Sequence, residues 1–151
     1  MAVMNSSHFK LTYRVKVLLP LFLAGINIFW TTDFSSPEKT FYSLLSAAEK
    51  MDLDSFLDCC DLESMTGEQV TLETKDRIIT ALKNDPHRKE FILKILNYLN
   101  ASSFIVLENT TISPEMKTLI IKNVKTDERA QLLFRKRNME WKLSSLKQVK
   151  F

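Results

Sequence analysis

Residues 36–60 read SPEKTFYSLLSAAEKMDLDSFLDCC, from Ser36 to Cys60, and their reading decides the fold. Ser36 is a good helix N-cap, because its hydroxyl can accept from a free amide of the first turn. Pro37 follows at the first helical position, where the N–H it lacks would have no partner anyway. Phe41, Leu44, Leu45 and Ala48 then recur at i, i+3, i+4, i+7 and form one apolar stripe. Asp52 restarts the pattern as a second cap, and Leu53, Phe56, Leu57 and Cys60 repeat the spacing. Two short amphipathic helices meeting at Lys50-Met51-Asp52 need an apolar surface to lie on.

The C-terminal third supplies it. Phe104-Ile105-Val106-Leu107 is a β-branched and aromatic run that ends in Asn-Thr-Thr, and residues 119–124 form a second. Lys125 to Glu128 reads as a turn. Ala130, Leu132 and Phe134 alternate with Gln131, Leu133 and Arg135 in a third strand. Arg137-Asn138-Met139 is a tight connection into a fourth, Trp141-Lys142-Leu143. Strands in succession with short turns predict an antiparallel meander, and helices first with strands last give the α+β class. The inward positions are expected to be Ala130, Leu132, Phe134, Trp141 and Leu143, none of them ionisable.

Between these parts, Asp61 to Val70 reads as turn chemistry around Gly67. Thr71 caps a third helix carrying Leu72, Ile78, Ile79 and Leu82. Asp85-Pro86 caps a fourth that runs to about Leu99, with Phe91, Ile92, Ile95, Leu96 and Leu99 on one face and Asn100 at its end.

Ahead of the domain, Lys10, Arg14 and Lys16 precede an uncharged apolar run, Val17 to Trp30. A basic region followed by an apolar one is the secretory pattern. The run is shorter than the ~20 residues of a comfortable spanning helix. Residues 1–32 are therefore expected to be a signal sequence or an N-terminal membrane anchor, and 33–151 one domain. Leu23-Ala24-Gly25 looks like the start of a lipoprotein box, but Ile26 stands where the lipid-bearing cysteine must be, so there is no thiol to acylate. An uncleaved tether is the preferred reading, with the domain outside by the positive-inside rule. The charge divides the same way. Residues 1–32 hold three basic side chains and no acid, residues 33–76 are net −8, and residues 77–151 are net +8. Opposite halves could help the front helices dock, although a solvated surface is the plainer reading.

This order of parts resembles the nuclear-transport-factor-2-like superfamily, the cystatin-like α+β cone, and within it the small exported bacterial lipoprotein-like domains. The likeness lies in Ser36-Pro37-Glu38 and Phe41-Tyr42 at the first helix, Asp52 at the second, and Met139-Glu140-Trp141-Lys142-Leu143 in the last hairpin. It departs in having Met139 where the family usually has glycine, and in placing two helices where an extra strand or loop is common. The resemblance implies a pocket between the first helix and the sheet, with Tyr42, Phe56, Phe134 and Trp141 near it; bulky side chains that simply fill it are the preferred reading.

Residue chemistry is sparse. His8 belongs to the leader and His87 reads as a surface residue. No His, Asp, Glu or Cys set has zinc-like spacing, so no metal and no cofactor are expected. Cys59 and Cys60 point about 100° apart on a helix and are poorly placed to bond to each other. Cys60 falls on the apolar stripe, whereas Cys59 lies off it and is expected to be exposed. Asp54, Asp58 and Asp61 read as one solvated acidic edge of the second helix. Arg135, Lys136, Arg137, Lys142, Lys147 and Lys150 read as a basic rim, solvated or facing anionic headgroups beside the tether. No aromatic residues interleave with it, so nucleic acid is not expected. Glycan triplets at Asn5, Asn100 and Asn109 would matter only in a glycosylating host.

The functional expectation is a non-catalytic extracytoplasmic (periplasmic) domain of a bacterial envelope, binding a partner protein, a second copy or a small apolar ligand beside the membrane that residues 17–30 enter. The alternatives are a pocket enzyme of the same fold, of isomerase or hydrolase type, and an envelope assembly scaffold.

Overall fold

The computed structural model describes residues 32–149. Among the described residues five helices precede four strands: α1 (Pro37–Glu49), α2 (Leu53–Asp58), α3 (Leu62–Thr66), α4 (Leu72–Asn84), α5 (Pro86–Ala101), β1 (Phe104–Ser113), β2 (Met116–Asn123), β3 (Arg129–Arg137) and β4 (Glu140–Val149). The strands form one open antiparallel sheet in the order β1-β2-β3-β4. The chain is an α+β protein.

The caps read from sequence act as expected. Ser36 Oγ accepts from the Lys39 amide at 3.2 Å, and Asp52 Oδ1 from the Ser55 amide at 3.1 Å. Between them Met51 turns the chain with a left-handed φ of 51°, so that the Asp52 amide donates back to the Ala47 carbonyl at 2.9 Å. Thr71 and Thr74 form a reciprocal capping box, and Asp85 accepts from the His87 and Arg88 amides.

Helices and sheet share one core. Phe41, Leu44, Ala47 and Ala48 of α1, Phe56 and Leu57 of α2, Ile78 and Leu82 of α4, and Ile92, Leu96 and Leu99 of α5 pack with Phe104, Leu119, Ile121, Ala130, Leu132, Phe134 and Trp141. Each such aliphatic or aromatic side chain contributes roughly 1.5–3 kcal/mol on burial. A hollow large enough for water would leave accessible surface on its walls. Ala48, Leu57, Leu96, Leu119 and Phe134 retain none. All five sheet positions expected to face inward do so, four buried and Leu143 packed against the cluster.

Four expectations are corrected. Asp61 to Val70 is not only a turn, because Asp61 caps the short helix α3, which Gly67 ends at φ 74°. β1 does not stop at Asn109-Thr110-Thr111. These residues pair with Leu119, Thr118 and Lys117, and the strand continues to the Ser113-Pro114 turn, since threonine suits a half-exposed strand. Leu72 is 94% exposed, because it opens α4 ahead of the part that touches the core. Phe91 is 63% exposed, because it sits one residue, about 100°, from Ile92 at the middle of the buried stripe of α5.

Among the described residues no helix is long and apolar enough to cross a membrane. The apolar run 17–30, His8, Asn5 and Lys150 lie outside the described residues.

Candidate functional site

The β4 edge is closed by the front of the chain. The Trp141 amide donates to the Phe34 carbonyl at 2.8 Å, and Thr40 Oγ1, fully buried, donates to the Trp141 carbonyl at 2.7 Å. Further along, the Leu143 amide donates to the Cys59 carbonyl and the Asp61 amide to the Leu143 carbonyl, each at 2.8 Å. A short parallel bridge, Cys60 to Leu143, thus continues the sheet by one step. An edge strand would otherwise leave its polar backbone groups open to pairing.

That bridge explains where sequence reading went wrong about Cys59. It lies off the apolar stripe of α2, but α2 ends at Asp58 and the next two residues turn in against β4. Cys59 is fully buried, not exposed, and its Sγ–H donates to the Ser55 carbonyl at 3.2 Å. Burial pushes its thiol up to about 12 and the buried Cys60 thiol well above its usual value. Neither is poised as a nucleophile.

The bridge also delivers a carboxylate to the interior. Asp61 is 1% exposed, and its two oxygens accept from Arg137 Nε and Nη2, both at 3.2 Å. Oδ2 accepts from Ser64 Oγ at 2.6 Å, completing the α3 cap. Glu63 meets Arg137 Nη1 at 3.2 Å. The hydrogen bond from Arg137 to Asp61 raises the guanidinium pKa above its ordinary value. So the sheet and helices do not enclose only apolar side chains, as the sequence suggested. The interior acid is held in a two-pronged ion pair with Arg137.

The three acids expected to form one solvated edge are each taken by a cation from another element, α4 or β3. Lys83 Nζ reaches Asp54 at 2.9 Å, Lys75 Nζ reaches Asp58 at 2.6 Å, and Arg137 holds Asp61. Glu38 of α1 likewise accepts from Asn109 of β1. Two of these pairs, Asp54–Lys83 and Asp61–Arg137, cross the charge division seen in the sequence, and Asp58–Lys75 lies within its acidic part. The basic rim is corrected in part: Lys147 is exposed as expected, whereas others are engaged. Lys142 Nζ donates to the Asp58 carbonyl at 2.7 Å, meets Glu140 at 2.9 Å and sits 3.4 Å from the centre of the Phe34 ring. Lys136 and Lys117 stand over the Trp141 ring, at 5.8 and 5.2 Å from its centre. Arg135 Nε is buried without a hydrogen-bond partner, and nothing in the structure explains it.

The expected pocket residues come together only in part. Phe56, Phe134 and Trp141 are in the core, and Tyr42 is half-buried at its margin with its ring centre 6.1 Å from that of Phe41. His87 is exposed. A shallow cleft of about 240 Å³ lies elsewhere, between the α3 turn, α4 and the start of α5. Its charges cancel in pairs, Arg77 with Glu68 at 3.1 Å and Arg88 with Asp85 at 3.5 Å. Among the described residues no group of three His, Cys, Asp or Glu side chains is placed to hold a metal ion.

Comparison with family models, with curated proteins and with solved structures gives no match for this chain.

Proposed function

We propose that the chain is a non-catalytic, membrane-tethered extracytoplasmic domain that works by presenting its surface to a partner protein. The observation that carries this reading is the filled space between the helices and the sheet. Phe56, Phe134 and Trp141 occupy the ground where a pocket of the nuclear-transport-factor-2-like kind would open, and Asp61, an acid that enters the interior, is held by Arg137 and Ser64. A ligand site needs concave apolar space with a few converging polar groups. A general base needs reach to a substrate proton. The arrangement around Asp61 favours neither, and a rigid body with surface recognition fits it better.

The test is isolation of the full chain in mild detergent from the envelope of its host. The reading expects a defined envelope protein retained in constant ratio. It is contradicted if the chain instead binds a small apolar molecule saturably, with a shift in Trp141 emission in a Trp30→Phe background.

A further inference from the structure

An open sheet has two edges, and the front of this chain closes one of them. Phe34, Cys59 and Asp61 take up backbone groups of Trp141 and Leu143 on β4. The other edge is β1, which has β2 on one side only. Register identifies the groups left over there. The Asn123 amide donates to the Glu128 carbonyl and its carbonyl accepts from the Asp127 amide, so Asn123 directs its backbone groups to the β3 side. That direction alternates along a strand, so Leu119 and Lys117 also serve β3, while Ile120 and Thr118 serve β1. Their partners Glu108 and Thr110 are thereby bonded to β2. The N–H and C=O of Asn109 and Thr111 point outward, and among the described residues no backbone group meets them.

Such edges are commonly guarded by lysine, by proline or by a covering segment. Phe104–Ser113 holds neither residue, and 107–112 are all exposed. Its two register shifts, at Val106/Glu108 and Thr111/Ser113, leave the four residues between them in regular pairing. The charge beside these four is of one sign. Asn109 pairs with the buried Leu119 and so faces the helices, where its side chain donates to Glu38 of α1. Glu108, one residue away, points to the opposite face and accepts from Thr110 Oγ1 at 2.8 Å. Among the described residues neither glutamate meets a cation.

We propose that β1 takes up an extended segment of the partner protein as an added strand, and that this segment carries two adjacent basic residues. The assignment rests on the partner reading above and gives that partner its docking surface. Outward N–H and C=O groups on a sheet edge recognise another extended backbone. Consecutive side chains of that strand point to opposite faces. A basic residue opposite Asn109 therefore lies beside Glu38, and its neighbour lies beside Glu108. A second copy of this chain fits poorly, because its β1 offers no cation and would set a second unneutralised Glu108 on the same face.

The test uses the full chain, labelled with nitrogen-15 in mild detergent, and the peptide acetyl-Thr-Val-Lys-Arg-Val-Thr-amide at up to millimolar concentration. Amide hydrogen exchange is read residue by residue. Without peptide, Asn109 and Thr111 should exchange fast and Thr110 slowly. Peptide is expected to slow Asn109 and Thr111 about tenfold, and a version with Glu-Asp in place of Lys-Arg should leave them fast. Glu38→Gln/Glu108→Gln should weaken the Lys-Arg peptide about tenfold. Unchanged exchange at 109 and 111 overturns the proposal, and equal protection by the acidic peptide overturns the part given to charge. Protection that grows with chain concentration in the absence of peptide assigns the edge to a second copy and also overturns it. Thr111→Pro, which removes an outward donor and no ladder bond, separates the docking from the reading beneath it. In the envelope isolation above, a partner kept by the parent and lost by this variant, with an unchanged circular dichroism spectrum, supports the docking. A partner kept equally by both overturns the docking and leaves the partner reading standing. A parent chain that retains no envelope protein overturns both.

Discussion

Arg137 and Asp61 stand 76 residues apart in the chain, and their pairing ties the last hairpin to the α2–α3 corner. Removing one partner of an enclosed ion pair strands the other charge. A fully buried case costs about 3–5 kcal/mol. Here the guanidinium is 37% exposed, so water can partly replace it. Arg137→Leu is expected to lower the unfolding free energy by about 2–3 kcal/mol. Asp61→Asn/Arg137→Leu should recover part of that loss, because no orphan carboxylate remains; chemical denaturation of the three proteins decides it. Cys59 and Cys60 give a second reading at this scale. With both thiols buried and shifted upward, the folded chain should resist iodoacetamide at pH 8, and both residues should react once denaturant unfolds it. Mass spectrometry of the two samples is the measurement.

Elements here begin and end on local chemistry, and that is why so much of the fold was legible. Ser36-Pro37, Asp52, Thr71 and Asp85-Pro86 each announce a helix within four residues, and the alternation from Ala130 to Phe134 announces a strand facing a core. The Asp52 carboxyl is held below its usual value, first by the Ser55 hydroxyl and then by the Ser55 amide. A depressed carboxylate contributes stability above its ordinary pKa of about 4 and loses it as pH falls through the folded value. Asp52→Ala should therefore cost about 1 kcal/mol at neutral pH, and the gap to the parent should narrow in melts below about pH 4. The Asn138-Met139 turn gives the opposite sign. Glycine occupies φ 68° without a Cβ penalty, so Met139→Gly should stabilise the detergent-solubilised chain by about 1 kcal/mol in denaturant titrations. What sequence could not show was anything set by contacts between distant elements. Cys59 is buried by β4, not by its own helix. Asp61 is interior because Arg137 arrives from the far hairpin. Leu72 and Phe91 satisfy helical spacing yet lie exposed, since periodicity gives a face but not what covers it.

Across the whole molecule the charge division and the filled interior work together. The acidic front helices meet the basic remainder through Asp54–Lys83 and Asp61–Arg137, with Asp58–Lys75 beside them, while Phe41, Phe56, Phe134 and Trp141 take up the volume between the layers. Opposite charge at partly exposed positions aligns the layers and adds little energy singly. The apolar contact supplies most of the stability. The proposed function turns on the filled interior, from which we infer recognition by the outer surface. Methyl NMR of the folded chain under xenon pressure tests it most directly, because xenon enters dry apolar hollows of the kind engineered into protein cores. The methyl resonances of Leu44, Leu119, Ile121 and Leu132 should drift linearly with pressure and never saturate. Saturating shifts clustered at those residues would reveal an open cavity between helices and sheet, and would contradict the account.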